Sequence, residues 1–168
     1  MLAKLSQREY AVPVNRVKSL AAADLEHGLR VFGDGPTLMA RIVIVDDERH
    51  IRAFLTDLLR AEGYDVEMAA DGSEALALCG RQAPDLVITD MFMAGMDGMQ
   101  MIGRLRRDFP AVNVIAVSGG GVSGEIGILA QARKAGATAT LEKPFGSDAL
   151  LATVKETLAK PRRRSSEC

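Results

Sequence analysis

From residue 40 onward the chain alternates between short apolar runs and segments with helical periodicity. Mainly aliphatic segments at 42–45, 86–89 and 112–117 predict strands, and weaker apolar segments at 64–69 and 137–141 predict two more. The segment after the first run repeats apolar residues at spacings of three and four: Ile51, Phe54, Leu55, Leu58 and Leu59. That spacing puts their side chains on one face of an amphipathic helix.

Boundary signals separate these elements. The residues predicted to end or cap helices are Gly63, Asp71, Asp97, Gly136 and Ser147. Asp71 and Asp97 each precede a Glu or Gln by three residues, as in a capping box. A fourth helix is predicted at about 123–134. Strands that alternate with helices predict an α/β fold, a doubly wound five-stranded parallel sheet with helices on both faces.

Polar residues stand at four of the predicted strand ends. Asp46, Asp47 and Glu48 follow the first strand and Asp90 follows the third. Ser118 and the pair Lys143-Pro144 follow the fourth and fifth strands. Because parallel sheets bind ligands at the carboxyl ends of their strands, these groups are expected to converge.

The residue types at these ends suit phosphoryl transfer. Two carboxylates about 4 Å apart repel by roughly 4 kcal/mol at an effective dielectric near 20, so Asp46, Asp47 and Asp90 need a cation. Mg²⁺ prefers hard oxygen ligands. Lys143 adds a positive charge and Ser118 a hydroxyl donor. A metal, an ammonium and a hydroxyl around a carboxylate nucleophile match a reaction that depends on positioning and charge neutralisation.

Each residue alone also has a structural explanation. Asp46 to Glu48 could cap the first helix, and Ser118 before three glycines is ordinary turn composition. A single Lys before Pro is usually on the surface. These explanations do not account for all four groups standing at separate strand ends.

Four strings at these positions resemble the receiver domain of bacterial two-component response regulators. They are IVIVDDE (42–48), DLVITDMFMAGMDG (85–98), VIAVSGGG (114–121) and ATLEKPF (139–145). The resemblance extends over about residues 40–160. It implies a flavodoxin-like sheet with strand order 2-1-3-4-5.

The resemblance also implies a role for each matching residue. Asp90 is similar to the phosphoacceptor. Mg²⁺ is expected on Asp46, Asp47, Asp90 and the backbone carbonyl of Phe92. Ser118 and Lys143 resemble the switch residues that contact the phosphoryl group, and the peptide bond before Pro144 is expected to be cis.

Three departures from the family pattern stand out. Ala94 occupies a position where the family commonly has Pro, which predicts a looser loop after Asp90. Thr140 replaces the aromatic residue that swings inward on activation in many members. Gly119 to Gly121 give the loop after the fourth strand unusual freedom, so this loop is expected to carry the conformational change instead.

These observations predict a single-domain response regulator. A sensor histidine kinase or a histidine phosphotransfer protein would donate a phosphoryl group to Asp90, and the protein would signal by phosphorylation-dependent contact or act as a phosphate shuttle or sink. It would be no enzyme beyond catalysing its own phosphorylation and dephosphorylation. One alternative is a pseudo-receiver that binds partners without phosphorylation. The other is a Mg²⁺-dependent phosphatase of the haloacid dehalogenase type, which expects Asp-x-Asp where this chain has Asp46 and Glu48.

Composition narrows the setting. The net charge of -1 gives no basic field for nucleic acid, and Cys79 and Cys168 form no metal or disulfide pattern. No apolar run is long enough to span a bilayer, so a cytoplasmic protein without membrane contact is expected.

The chain is expected to have three parts. Residues 1–38 are predicted to be a poorly ordered N-terminal extension, or the product of an early start codon. Residues 39–160 form the receiver domain, and 161–168 a basic C-terminal tail. No DNA-binding output domain is predicted.

Overall fold

The computed structural model describes residues 39–119 and 127–160. The predictions for the N-terminal extension, the C-terminal tail and most of the glycine-rich loop concern residues outside these ranges.

The five strands form one parallel sheet in the order β2-β1-β3-β4-β5. They are β1 (Arg41–Val45), β2 (Asp65–Ala69), β3 (Leu86–Asp90), β4 (Asn113–Gly119) and β5 (Ala139–Lys143). Every residue of β1 and β3 is buried, as expected for strands covered on both faces. The predicted fold class and strand order are confirmed.

Five helices cover the two faces of the sheet. They are α1 (Arg49–Ala61), α2 (Gly72–Arg81), α3 (Gly98–Asp108), α4 (Ile128–Ala135) and α5 (Ser147–Ala159). Successive residues of β1 point to opposite faces, so Val43 joins the core under α2, α3 and α4 while Ile44 joins the core under α1 and α5. In the described ranges, no helix combines the length and the apolar character needed to cross a bilayer.

The predicted caps of α2 and α3 are present. The Asp71 carboxylate accepts hydrogen bonds from the backbone N–H of Ser73 and Glu74, at 2.7 and 2.9 Å. The Asp97 carboxylate accepts one from Gln100 N–H at 2.8 Å. Each cap satisfies backbone donors that the first turn of a helix leaves unpaired.

Three predicted boundaries differ from the structure. α4 begins only at Ile128, because Gly127 has a φ of +97°, which a right-handed helix does not allow; residues 123–126 lie outside the described part of the chain. β5 runs on to Lys143, two residues beyond the apolar run. Ser147 is the first residue of α5 and not its cap, because extended Gly146 occupies the cap position.

We expect Thr157→Val to stabilise the protein. The Thr157 side chain is fully buried in α5, and its hydroxyl has no hydrogen-bond partner among the described residues. Val has the same shape and a similar helix propensity, so the change removes a desolvated hydroxyl and should raise the free energy of unfolding by about 1–2 kcal/mol. Urea denaturation would measure it. Thr153→Val, one turn earlier, is the control because that hydroxyl donates to Ala149 O, and an equal gain there would contradict the explanation.

A second prediction concerns alkaline pH. Burial raises the pKa of Cys79 from 9.0 to about 11, and the charge of Arg41 opposes this rise only in part. The thiol keeps its proton in the folded state while it ionises in the unfolded chain. Its contribution to stability is therefore complete below pH 9 and is lost as the pH rises toward 11, by up to about 2.7 kcal/mol.

Denaturation curves at pH 8 to 11 test this prediction in Cys79→Ala. The variant should lose less free energy of unfolding between pH 9 and 11 than the wild type does. Ile102→Val, which removes volume from the same core without an ionisable group, should keep the wild-type slope. Parallel slopes for Cys79→Ala and the wild type would contradict the prediction.

Candidate functional site

Three charged side chains from separate strand ends meet at the carboxyl edge of the sheet. Lys143 Nζ lies 2.5 Å from Asp90 Oδ2 and 3.2 Å from Asp46 Oδ2. Asp90 ends the central strand β3, Asp46 directly follows β1, and Lys143 ends the edge strand β5. Both carboxylates therefore share one ammonium group. This contact joins residues far apart in sequence, as the strand-end pattern predicts.

Backbone N–H groups hold the other oxygen of each carboxylate. Asp46 Oδ1 accepts from Glu48 N–H at 2.8 Å, and Asp90 Oδ1 accepts from Phe92 N–H at 3.0 Å. In both cases the donor lies two residues after the Asp. The chain therefore turns back on the carboxylate as it leaves the strand, and both side chains are fixed in direction.

Burial sets the electrostatics of the site. Asp46 is 3% exposed and Asp90 is 8% exposed. Burial raises the pKa of Asp46, although the Glu48 N–H and the Lys143 ammonium oppose the rise. Burial also acts to lower the pKa of Lys143, but its hydrogen bonds to Asp90 and Asp46 outweigh burial and leave that pKa raised. Lys143 is therefore charged at neutral pH, where it compensates two buried acids.

Asp47 occupies the exposed rim of the site. Its Oδ2 accepts a hydrogen bond from Ala94 N–H at 3.3 Å, so it links the end of β1 to the loop after β3. Proline at position 94 could not make this bond, because it has no N–H. The departure from the family pattern at Ala94 thus gives this loop an added contact. Phe92, in the same loop, is 47% exposed.

The oxygen atoms at this edge match the ligand preference of Mg²⁺. The carboxylates of Asp46 and Asp90 are hard oxygen donors, and Mg²⁺ sites often use only one or two carboxylates with waters and substrate oxygens. Within the described ranges, no three Asp, Glu, His or Cys side chains are grouped closely enough to hold a metal between them. Asp47 is turned toward Ala94, and Lys143 lies between the other two acids. The donor types therefore fit Mg²⁺, but the carboxylates of Asp46, Asp47 and Asp90 do not converge on one point in this structure.

The remaining predicted residues lie on β4, on β5 and directly after β5. Ser118 is buried, and its hydroxyl donates to Gly119 O at 3.3 Å. The Lys143-Pro144 peptide bond is cis. Thr140 Oγ1 accepts a hydrogen bond from Arg133 Nε on α4 at 2.9 Å. A polar contact between α4 and β5 therefore stands where many similar proteins have an aromatic side chain.

The structure adds a residue that the sequence pattern did not single out. Arg52, on the second turn of α1, donates from Nη1 to the backbone carbonyl of Asp46 at 2.5 Å. With this bond, the carbonyl and both carboxylate oxygens of Asp46 are all engaged. Arg52 lies six residues after Asp46, among several other charged residues. Nothing in the sequence distinguishes it from them except its place near the start of the predicted first helix.

Comparison with known proteins agrees with this geometry. The family model described as response regulator receiver domain matches residues 42–155. Sporulation initiation phosphotransferase F of Bacillus subtilis is 34% identical over 118 residues, which cover 70% of this chain and 93% of that protein.

Longer relatives match only in part. Nitrogen assimilation regulatory protein NtrX of Azorhizobium caulinodans is 34% identical over 125 residues, which cover 73% of this chain but 27% of NtrX. This chain thus spans about a quarter of that protein's length.

Solved structures show the same fold. A putative response regulator from Chloroflexus aurantiacus superimposes with a TM-score of 0.67 at 31% identity, and the match covers 73% of this chain and 99% of that one. The family match, the sheet order and the strand-end acids agree. The chain belongs to the response regulator receiver domain family, whose members are phosphorylated by histidine kinases.

Proposed function

We propose that Asp90 accepts a phosphoryl group from a phosphohistidine, and that this chain acts as a response regulator that signals through protein contacts or passes the group on. The donor would be a histidine kinase or a phosphotransfer protein. The observation that supports this proposal best is the Lys143 ammonium held between the buried carboxylates of Asp90 and Asp46. The similarity to a protein named sporulation initiation phosphotransferase F supports the relay role.

Asp90 would be the nucleophile of this reaction. A carboxylate oxygen attacks phosphorus in line with the histidine nitrogen, the P–N bond breaks, and the departing imidazole takes a proton. Phe92 N–H fixes one oxygen of Asp90, so little rotational freedom is lost on reaching the reactive geometry. Lys143 would exchange its contact with Asp90 for one with a phosphoryl oxygen.

Asp46, Asp47, Asp90 and the Phe92 carbonyl are the groups that would hold Mg²⁺. The ion would supply charge neutralisation for the phosphoryl oxygens and fix their orientation. Asp46 suits this role because its buried carboxylate has a raised pKa and gains from a cation. Asp47, at an exposed position, would exchange its contact with Ala94 N–H for one with the metal.

The output would begin at Ser118 and Lys143. Added phosphoryl charge attracts a hydroxyl and an ammonium. Ser118 is the last but one residue of β4, Lys143 is the last residue of β5, and both strands contact α4. Their movement would shift β4 and β5 relative to α4. The hydrogen bond from Arg133 to Thr140 now joins α4 to β5. We propose that the partner surface comprises α4, β5 and α5, the helix that packs on β5.

The first experiment is phosphorylation by acetyl phosphate, followed by intact mass. The wild type should gain one phosphoryl group when Mg²⁺ is present and none in EDTA, because the metal neutralises the reacting charges. Asp90→Asn should gain none, because an amide oxygen is a poor nucleophile.

Asp65→Asn, on the surface of β2, is the matched control and should react as the wild type does. A wild type that gains no mass under any condition would favour the pseudo-receiver. Continuous release of free phosphate from small esters would favour the phosphatase.

Lys143→Met tests the electrostatic balance of the site. Without metal, the variant leaves two buried carboxylates without their cation and should lose about 2–4 kcal/mol of unfolding free energy. With Mg²⁺, it should gain more stability than the wild type gains, because the ion no longer competes with an ammonium within 3.2 Å of both acids. Phosphorylation should nevertheless be slower, since Lys143 is no longer available to the phosphoryl group.

Thermal denaturation in EDTA and across a Mg²⁺ series measures both effects. Lys155→Met is the control, because that ammonium pairs with Glu62 on the protein surface. A smaller Mg²⁺-induced rise in melting temperature for Lys143→Met than for the wild type would refute the proposed competition between Mg²⁺ and the Lys143 ammonium.

A further inference from the structure

Gly98, the first residue of α3, lies directly against the peptide that follows Asp90. A Cβ atom built on Gly98 would come within 2.5 Å of the Asp90 carbonyl oxygen and 2.8 Å of Met91 Cα. The Gly98 N–H donates to the Met91 carbonyl at 3.2 Å. The first turn of α3 is therefore seated on the backbone of the residue proposed to accept the phosphoryl group.

The atoms that face Gly98 cannot move out of the way independently. They belong mainly to the backbone between Asp90 and Met91, so a side chain at position 98 must displace that backbone or the start of α3. Phe92 continues the same backbone, and its N–H holds Asp90 Oδ1. A shift of this peptide would therefore change the direction of the Asp90 carboxylate.

Gly72 provides a contrast within the same chain. It is also the first residue of a helix, it is also buried, and it also follows an Asp cap. A Cβ there would meet the side chain of Met96, at 2.9 Å from both Cγ and Sδ. Met96 has three rotatable bonds and can adjust. The same substitution thus meets a backbone at one helix start and a flexible side chain at the other.

We propose that Gly98 is a positioning residue for Asp90: the absence of a side chain lets α3 hold the Asp90-Met91 peptide at the distance that directs the carboxylate into the site. This inference rests on the proposed function of Asp90. Gly98 touches neither the donor nor the metal, and it acts through the backbone alone.

Phosphorylation kinetics of Gly98→Ala and Gly72→Ala test this role. Both proteins are incubated with Mg²⁺ and a range of acetyl phosphate concentrations, well below their melting temperatures, and intact mass gives the rate. Gly98→Ala should lower the rate at saturating acetyl phosphate by about 10- to 100-fold, the effect expected when a reacting group is misplaced by about 1 Å. Gly72→Ala should stay near the wild-type rate. Equal rates in all three proteins would overturn the inference.

A second measurement does not depend on the reaction. Asp90 and the Phe92 carbonyl are proposed metal ligands, so the rise in melting temperature between EDTA and Mg²⁺ should shrink in Gly98→Ala and be unchanged in Gly72→Ala. A merely structural role would lower the melting temperature of Gly98→Ala equally with and without Mg²⁺, and that result would count against positioning.

A second pair of variants decides the question if Gly98→Ala does not fold. Asp97→Ala removes the cap of α3 and loosens its first turn on the Asp90 peptide without adding bulk, whereas Asp71→Ala removes the corresponding cap of α2. A slower phosphorylation of Asp97→Ala than of Asp71→Ala supports the inference, and equal rates overturn it.

The wild type in the same experiment separates the two proposals. If it gains no phosphoryl group, the proposed function fails. The Mg²⁺-dependent melting temperatures of the glycine variants then still decide whether Gly98 positions Asp90. If the wild type reacts and Gly98→Ala reacts equally fast, only the positioning role fails.

Discussion

The site is organised by one ammonium group that compensates two buried carboxylates. Asp46, Asp90 and Lys143 stand at the ends of three strands, and the residues in contact are separated by 97 and 53 positions in sequence. Burial penalises the ionised form of a carboxylate, and the Lys143 ammonium offsets this cost through its contacts with both acids. The arrangement is complete only when the edge strand β5 pairs with β4 and brings Lys143 to the end of the sheet. The order of the strands in the sheet therefore determines whether the charged groups of the site can meet.

A buried group of two carboxylates and one ammonium adds little to the stability of a fold. Removing two acids and an ammonium from water costs about as much as their attraction returns, and apolar residues of similar size often do better. Here the contacts of Lys143 with the two acids can be exchanged for others, because the Lys143 side chain is partly exposed. In the proposed function, a phosphoryl oxygen would replace a carboxylate on Lys143 without unfolding any element. The charges that make the site costly would then be those that phosphoryl transfer uses.

Sequence predicted the elements that are buried on both faces and was less accurate at the edges. The cores of β1, β3 and β4 appear as unbroken apolar runs because helices cover both sides of those strands. β5 is an edge strand whose last residues, Glu142 and Lys143, are polar, so its apolar run stops before the strand does. The late start of α4 depends on the left-handed conformation of Gly127, which no side-chain pattern reveals.

The same division applies to the site. Asp46, Asp90 and Lys143 were found because their side chains are chemically distinctive and stand at strand ends. The backbone N–H groups of Glu48, Phe92 and Ala94 were not predicted to take part in the site. Every residue except proline has a backbone N–H, and only the folded chain determines which of them contact the carboxylates. The close approach of Gly98 to Asp90 likewise depends on how α3 meets β3.

Two of the three departures from the family pattern, at positions 94 and 140, have a common physical consequence. In each, a polar contact stands where the family pattern has a ring: Ala94 N–H on Asp47, and Arg133 on the Thr140 hydroxyl. Both contacts are at the surface, where a hydrogen bond contributes about 0.5–1.5 kcal/mol at most, so both can be exchanged at little cost. In the proposed function, Asp47 exchanges Ala94 N–H for metal, and a shift of β5 separates Thr140 from Arg133. Activation of this receiver would then depend on replacing weak polar contacts around a buried charged centre, and not on moving an aromatic side chain into the core.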